Sequence, residues 1–135
     1  MRMTALIAGL FLLAAVGAAQ ADEAHFGQTA FSTENGTEAQ NSFAPNTPKI
    51  VLHVQVEDSK KGDKVSAAWI AEKTSASAPP NYKIDSATVT IDDPEEDEVA
   101  FSISKPNAGW PVGDYRVDLD INGKAKKSAS FKIGQ

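Results

Sequence analysis

The fold of this chain is decided by the stretch GWPVGDYRVDLDING, residues 109–123. It opens with a turn rich in proline and glycine. After the turn, every second residue is apolar (Tyr115, Val117, Leu119 and Ile121), and the residues between them are charged. A period of two predicts a β-strand with one buried face and one face in water. The strand ends at Asn122-Gly123, which favours a type I′ hairpin turn because both residues tolerate positive φ. Residues 127–133, KSASFKI, alternate again and are predicted to be the returning strand.

The same period of two recurs upstream, in residues 49–58, 64–73, 82–91 and 99–104. In the third of these segments the apolar phase shifts between Ile84 and Val89, which predicts a β-bulge or a break in the strand near Ser86. Trp69, in the second segment, is expected to fill the core. No segment after residue 21 has a helical period of 3.6, so the sequence predicts an all-β antiparallel sandwich of about seven strands.

Residues 109–133 resemble the last two strands of bacterial immunoglobulin-like and fibronectin type III-like domains. In those domains a Pro-x-Gly-x-Tyr turn leads into the penultimate strand, and here the turn is Pro111, Gly113 and Tyr115. The resemblance implies an immunoglobulin-like β-sandwich in which Tyr115 fastens the corner between the sheets by a hydrogen bond back to the turn. It also implies a binding or spacer module. The chain departs from the antibody pattern in having no cysteine pair, and its N-terminal strand is poorly defined.

The first 21 residues, MRMTALIAGLFLLAAVGAAQA, have the pattern of a secretory signal peptide. Arg2 gives a basic start, an apolar run follows from residue 5 to 16, and Ala19 and Ala21 form the small-residue cleavage pattern. The apolar run is shorter than the roughly 20 residues of a membrane-spanning helix. We therefore expect cleavage after Ala21, no membrane span afterwards, and export to the periplasm or the cell exterior. Residues 22–46 are predicted to be a polar segment with a possible edge strand, and residues 47–135 the sandwich domain.

Charge and cysteine content limit what the exported part can do. Without Arg2, twelve basic and eighteen acidic residues remain, a net charge of −6. A nucleic-acid binder needs a basic surface that replaces counterions, so this class is excluded. The absence of cysteine excludes thiol chemistry and cysteine-based metal sites. We expect a monomer whose partner is another protein or a glycan.

A metal-binding protein is the alternative function that the sequence offers. His25 and His53 are the chain's two histidines, and the acidic segment DDPEEDE, residues 92–98, supplies clustered oxygen ligands at Asp92, Asp93, Glu95 and Glu96. Imidazole suits copper and clustered carboxylates suit calcium. The acidic spacing differs from that of a calcium-binding loop, and a solvated turn is the simpler interpretation. A periplasmic copper or calcium protein stays open as the alternative.

No catalytic arrangement is visible in the sequence. The chain has no G-x-S-x-G nucleophile elbow, and neither histidine has a serine or aspartate at a sequence spacing that indicates a catalytic triad. We therefore expect neither an enzyme nor a cofactor, and the main hypothesis is an exported non-catalytic binding or accessory module. Its candidate contact residues are Trp110 and Pro111, in a turn, and Tyr82, beside Pro79-Pro80. The alternative for Trp110 is that its indole covers the core.

Overall fold

The computed structural model describes residues 23–76 and 78–134. The predicted signal peptide, residues 1–21, lies outside this range. In the described part of the chain, no helix has the length and apolar character needed to cross a membrane. Eight strands are present: β1 (His25–Thr33), β2 (Ser42–Phe43), β3 (Lys49–Glu57), β4 (Lys64–Thr74), β5 (Tyr82–Thr90), β6 (Glu98–Ser104), β7 (Gly113–Ile121) and β8 (Ala125–Ile133).

The strands form two sheets that pack face to face. One has three strands in the order β1-β3-β6, and the other has five in the order β2-β8-β7-β4-β5. All pairs are antiparallel except β2, whose two residues pair in parallel with β8. The prediction of an all-β sandwich is confirmed, with eight strands rather than about seven. Strand β5 has only β4 as a neighbour, and nearly all its side chains are exposed.

The period of two places one row of each strand between the sheets. In β3, for example, Ile50, Leu52, Val54 and Val56 are buried, and the residues between them face water or are half-buried. Burying one such side chain stabilises the fold by roughly 1.5–3 kcal/mol relative to leaving it exposed. These rows, together with Phe31 and Phe43 from the polar N-terminal segment, form one continuous core.

Phe131 on β8 is the centre of an aromatic cluster in this core. Its ring stacks on Tyr115 with the centroids 5.0 Å apart, and Phe31 lies at the same distance, tilted. Trp69 approaches edge-on at 6.0 Å, which agrees with its predicted place in the core. Aromatic pairs in these geometries add about 0.5–1.5 kcal/mol each beyond the area that they bury.

Trp110 is a core residue, and the expectation that it helps form an exposed contact patch is wrong. Its side chain is only 3% exposed and packs edge-on against Tyr115. The indole Nε1 donates a hydrogen bond to the Thr47 carbonyl at 2.9 Å. A buried indole N–H needs such a partner, and the loop before β3 supplies it. Trp110 therefore closes the end of the sandwich between β6 and β7.

The corner before β7 is built by Tyr115 and Gly113. The Tyr115 hydroxyl donates a hydrogen bond to the Pro111 carbonyl, the bond back to the turn expected from the sequence. Gly113 lies so close to β4 that a Cβ atom there would be 2.6 Å from the Cα of Thr74. The position therefore requires glycine, since no side chain fits against that backbone.

The Asn122-Gly123 hairpin has the positive φ values that its sequence implies, 54° and 75°. Its asparagine side chain also ties the hairpin to the turn between β3 and β4, because Nδ2 donates to Asp63 and Oδ1 accepts from the Lys64 N–H. The irregularity expected near Ser86 is found two residues earlier. Trp69 pairs with Asp85 and the next residue of β4 pairs with Lys83, so Ile84 is the extra residue.

Candidate functional site

The residues proposed from sequence as a contact patch do not form one. Tyr82 is exposed (51%) and pairs with Ala71 of β4, whereas Pro111 is half-buried. Val112, the other exposed large apolar residue of the described part, accepts a hydrogen bond at its carbonyl from the N–H of Ser75. Ser75 follows Ala71 by four residues, which corresponds to about 13 Å along an extended chain. With Trp110 buried, Tyr82 is therefore separated from Pro111 and Val112.

His25 pairs with carboxylates at the opposite end of the sandwich. Its Nε2 lies 3.1 Å from Oε1 of Glu57, and its Nδ1 lies 3.0 Å from the Glu23 carbonyl and 3.6 Å from Asp58. The hydrogen bond to the Glu23 carbonyl, together with the nearby carboxylates of Glu57 and Asp58, raises the pKa of His25 above its ordinary value, against a smaller lowering by desolvation. The ring is exposed, so these are solvated ion pairs of modest strength.

His53 lies on the outer face of the three-stranded sheet, between β1 and β6. Its Nε2 is 3.1 Å from Oγ of Ser32, and its Nδ1 is 3.2 Å from Oε2 of Glu98. The direct cross-strand neighbours of His53 are Ala30 and Ala100. Because both are small, the imidazole has room to reach diagonally to a residue on each side. The sequence did not point to Ser32 or Glu98 as partners.

The proposed metal ligands are not brought together. Glu57, the cross-strand partner of His25, follows His53 by four residues, which separates the two histidines by about 13 Å along β3. In the acidic turn, Asp93 accepts a hydrogen bond from the N–H of Glu95, so that carboxylate stabilises its own loop. Among the residues that the structure describes, no group of three or more histidine, aspartate or glutamate side chains is placed to hold a metal ion. The set His25, His53, Asp92, Asp93, Glu95 and Glu96 is therefore not a single site.

The outer face of the five-stranded sheet carries a shallow concavity of about 810 Å³. Short side chains from β4 and β5 line one half of it, and longer charged side chains from β7 and β8 line the other. We call this surface the polar face and define it by Ser66, Ala68, Ser86, Thr88, Arg116, Asp118, Asp120, Lys126 and Ser128. Cross-strand pairing brings these residues side by side, as in the row Ser86, Ala68, Asp118 and Ser128.

Arg116 is held in place at one end of the polar face by three acceptors. Its Nε donates to Asp118 at 2.9 Å, and its Nη1 donates to Asn81 at 2.7 Å and to Glu72 at 3.2 Å. These bonds join β7 to β4 and to the loop before β5. The hydrogen bonds to Asp118 and Glu72, and the charges of these carboxylates, raise the pKa of Arg116, so the guanidinium keeps its charge.

Asp118 is the second fixed charge of the polar face. Besides Arg116, it accepts a hydrogen bond of 2.8 Å from the Ser128 hydroxyl on β8. Partial desolvation pushes the pKa of Asp118 upwards, but the hydrogen bonds from Arg116 and Ser128 and the guanidinium charge outweigh it, and the pKa lies below its ordinary value. The polar face therefore carries a positive and a negative group whose positions are set before any partner arrives.

Sequence reasoning placed Arg116 and Asp118 on the outward side of their strand but assigned them no role. Alternation in YRVDLDI is enough to show that they face water. It does not show that β7 lies between β4 and β8, which is what brings Glu72 and Ser128 to these two side chains. The missing information was the strand order.

Solved structures with the same architecture include an immunoglobulin-like protein from Pseudomonas aeruginosa. The two share 13% sequence identity at a TM-score of 0.57, and the match covers 84% of this chain and 98% of that protein. The fold of this chain is therefore the immunoglobulin-like β-sandwich. Identity this low shows the fold alone, and function has to be argued from the surface.

Two larger proteins contain a region of the same shape. A β-glucosidase from Erythrobacter marinus matches with a TM-score of 0.51 and 11% identity over 82% of this chain, which spans 15% of that enzyme. An alkylpurine DNA glycosylase from Pseudomonas fluorescens matches with a TM-score of 0.50 and 12% identity over 83% of this chain, which spans 30% of that enzyme. Comparison with models of protein families gave no match, and neither did comparison with curated proteins.

Proposed function

We propose that this chain is an exported binding or accessory module without catalytic activity, and that it contacts another protein through the polar face. The observation that carries the proposal is the concavity itself, with Arg116 and Asp118 fixed by hydrogen bonds from neighbouring strands. Charges fixed before contact lower the cost of ordering an interface. They also select a partner of complementary charge. Export is inferred from the sequence of residues 1–21.

A protein partner fits the polar face better than a small molecule or a glycan. Small-molecule sites are mostly apolar and enclosed, whereas this surface is open and lined by hydroxyl and charged groups. The exposed large apolar residues of the described part, Tyr82 and Val112, lie outside the polar face. A sugar ring would find no aromatic platform here.

The absence of catalysis is proposed for the polar face on chemical grounds. Its hydroxyl groups lie beside carboxylates, a guanidinium and each other; Ser66 and Thr88, for example, are hydrogen-bonded at 2.9 Å. The polar face has no histidine, the most frequent general base, and Asp118, which accepts from the Ser128 hydroxyl, has a lowered pKa and is therefore a weak base.

Site-specific photo-crosslinking in the exporting cell tests this function. A photoreactive amino acid replaces Ser66 or Ser128 on the polar face, and in a matched control it replaces Ser102, an outward-facing serine on the other sheet. We expect a discrete protein adduct from the two polar-face positions that the Ser102 position does not give. Equal adducts from all three positions, or none from the polar face, would contradict the proposal.

A further inference from the structure

The outer face of the three-stranded sheet holds a serine, a histidine and a glutamate in a chain of hydrogen bonds. Ser32 on β1, His53 on β3 and Glu98 on β6 are joined by contacts of 3.1 Å at Nε2 and 3.2 Å at Nδ1. These contacts lie within the reach expected for a nucleophile, its general base and the group that orients the base. The two ring nitrogens contact the hydroxyl and the carboxylate respectively, which is the arrangement of a serine activated by histidine.

The proton positions follow from the acceptors. Ionised Glu98 accepts only, so Nδ1 of the neutral imidazole carries the proton and donates to it. Nε2 is then one acceptor within reach of the Ser32 hydroxyl proton. The Thr33 carbonyl, 3.0 Å from the same Oγ, is the competing acceptor for that hydroxyl proton. Glu98 favours the first arrangement because it fixes the tautomer of His53.

We infer that Ser32 is a site of covalent modification by small acyl or phosphonyl electrophiles, activated by His53 with Glu98 as the positioning residue. In this step Oγ of Ser32 forms a bond to the electrophilic carbon or phosphorus atom, and the leaving group departs with the bonding electron pair. The hydroxyl proton passes to Nε2 of His53. Turnover would need donors for the oxyanion as well. The inference therefore concerns one bond-forming step and is independent of the proposed binding function.

Burial limits the size of the reagent. Ser32 is 5% exposed, while the ring of His53 is partly open to water. A compact electrophile that passes the edge of the imidazole meets Oγ, and a bulky one does not. The same face offers a matched comparison in Ser102, which is exposed, shares the cross-strand neighbour Val51 with Ser32, and makes no side-chain hydrogen bond to His53 in the described structure.

Labelling with a fluorophosphonate that carries small alkyl groups tests the inference. The Oγ–P bond forms, the P–F bond breaks, and the mass gain is that of the probe less hydrogen fluoride. Intact-protein mass spectrometry gives the rate, and peptide mapping gives the position. Since general base catalysis contributes about 10²–10⁴-fold, we expect Ser32 to react on the order of 100-fold faster than Ser102 despite its lower exposure.

Variants separate activation from simple access. Ser32→Ala should abolish the fast adduct, Ser102→Ala should leave it unchanged, and His53→Gln should slow it to the rate of an ordinary serine. Glu98→Gln should slow the labelling, because its amide can donate to Nδ1 and release the ring from the required tautomer, whereas Glu98→Asp keeps an acceptor there and should recover part of the rate. The inference is overturned by no adduct at Ser32, by Ser102 reacting first, or by a Ser32 rate that His53→Gln leaves unchanged.

Discussion

The ring of Tyr115 stacks on that of Phe131 with the centroids 5.0 Å apart and an angle of 12° between the planes, while its hydroxyl reaches the Pro111 carbonyl. One side chain thus joins the core to the turn that leads into β7. Burial raises the pKa of this hydroxyl to about 12, so it remains a donor throughout the neutral range.

Removing the hydroxyl should therefore destabilise the fold and leave the packing intact. Tyr115→Phe keeps the stacked ring and leaves the Pro111 carbonyl without its partner, which should lower the free energy of unfolding by about 1–3 kcal/mol. Urea unfolding followed by tryptophan fluorescence measures the change. Tyr82→Phe, at an exposed tyrosine, is the matched control and should unfold like the wild type. Equal effects of the two substitutions would contradict the corner assignment.

Trp110 should behave as a core residue in mutagenesis. Trp110→Ala removes a buried indole and leaves the Thr47 carbonyl without its donor, so we expect a loss of about 3–5 kcal/mol. Tyr82→Ala, at the exposed aromatic position, should change stability by no more than about 0.5 kcal/mol. Thermal unfolding followed by circular dichroism compares the two. If Trp110→Ala kept the full melting temperature, the indole would not be part of the core.

Gly113 should tolerate no side chain. Gly113→Ala places a Cβ against the backbone of Lys73 and Thr74, and the β4–β7 ladder must shift to accommodate it. We expect destabilisation of more than about 1 kcal/mol, because the conformation is incompatible with alanine. Gly134→Ala is the control, since a Cβ there meets nothing within 4 Å. Chemical denaturation of both variants gives the difference, and similar midpoints would show that the corner is more plastic than its geometry indicates.

Asp118 should make stability fall in acid. Its pKa in the fold lies below its ordinary value, so its contribution is present above the unfolded pKa and is lost as pH falls through the folded pKa. Asp118→Asn should therefore flatten the stability curve between about pH 5 and pH 2, where carboxylates titrate. Urea midpoints measured across this range test the sign. If Asp118→Asn were as acid-sensitive as the wild type, Asp118 would not be a source of the loss of stability in acid.

His25 should contribute to stability with the opposite pH dependence. Its pKa in the fold is raised, so its contribution is present below the unfolded pKa and is lost as pH rises through the folded pKa. The exposed ring makes the effect small. His25→Gln should lower the melting temperature slightly on the acid side of neutrality and leave it unchanged at alkaline pH. Scanning calorimetry at two pH values measures this, and a loss that grew with pH would contradict the ion-pair assignment.

Local pattern was sufficient to predict which side of β3 and of β7 faces the core. The alternation in residues 115–121 and 50–56 matches the buried rows, and Asn122-Gly123 forms the turn that its backbone preferences require. These features depend on neighbours in the sequence. Of the two interpretations of Trp110, the contact patch is wrong, and the covering of the core is confirmed. The sequence could not decide between them, because the position of the indole depends on Thr47, 63 residues away.

The candidate sites could not be predicted from the sequence, because they also depend on residues that are far apart in the chain. Ser32 and His53 are 21 residues apart, and His53 and Glu98 are 45 apart. Their contact depends on β3 lying between β1 and β6, a strand order that alternation does not encode. The two histidines were grouped with the acidic turn on composition alone. In the fold His53 contacts one residue of that segment, Glu98 on the adjacent strand β6, whereas His25 contacts Glu57 and Asp58 at the end of β3.

The unequal width of the two sheets determines where the native state opens first. β5 is bonded on one side only and buries little, whereas β7 is held by a strand on each side. Amide protons of β5 should therefore exchange with deuterium through small local fluctuations, long before those of β7, whose release requires the whole domain to unfold. A brief loss of β5 would remove Ser86 and Thr88 from the polar face and expose the edge of β4 at Ser66 and Ala68 to a new strand, so a weakly protected strand forms part of the proposed contact surface.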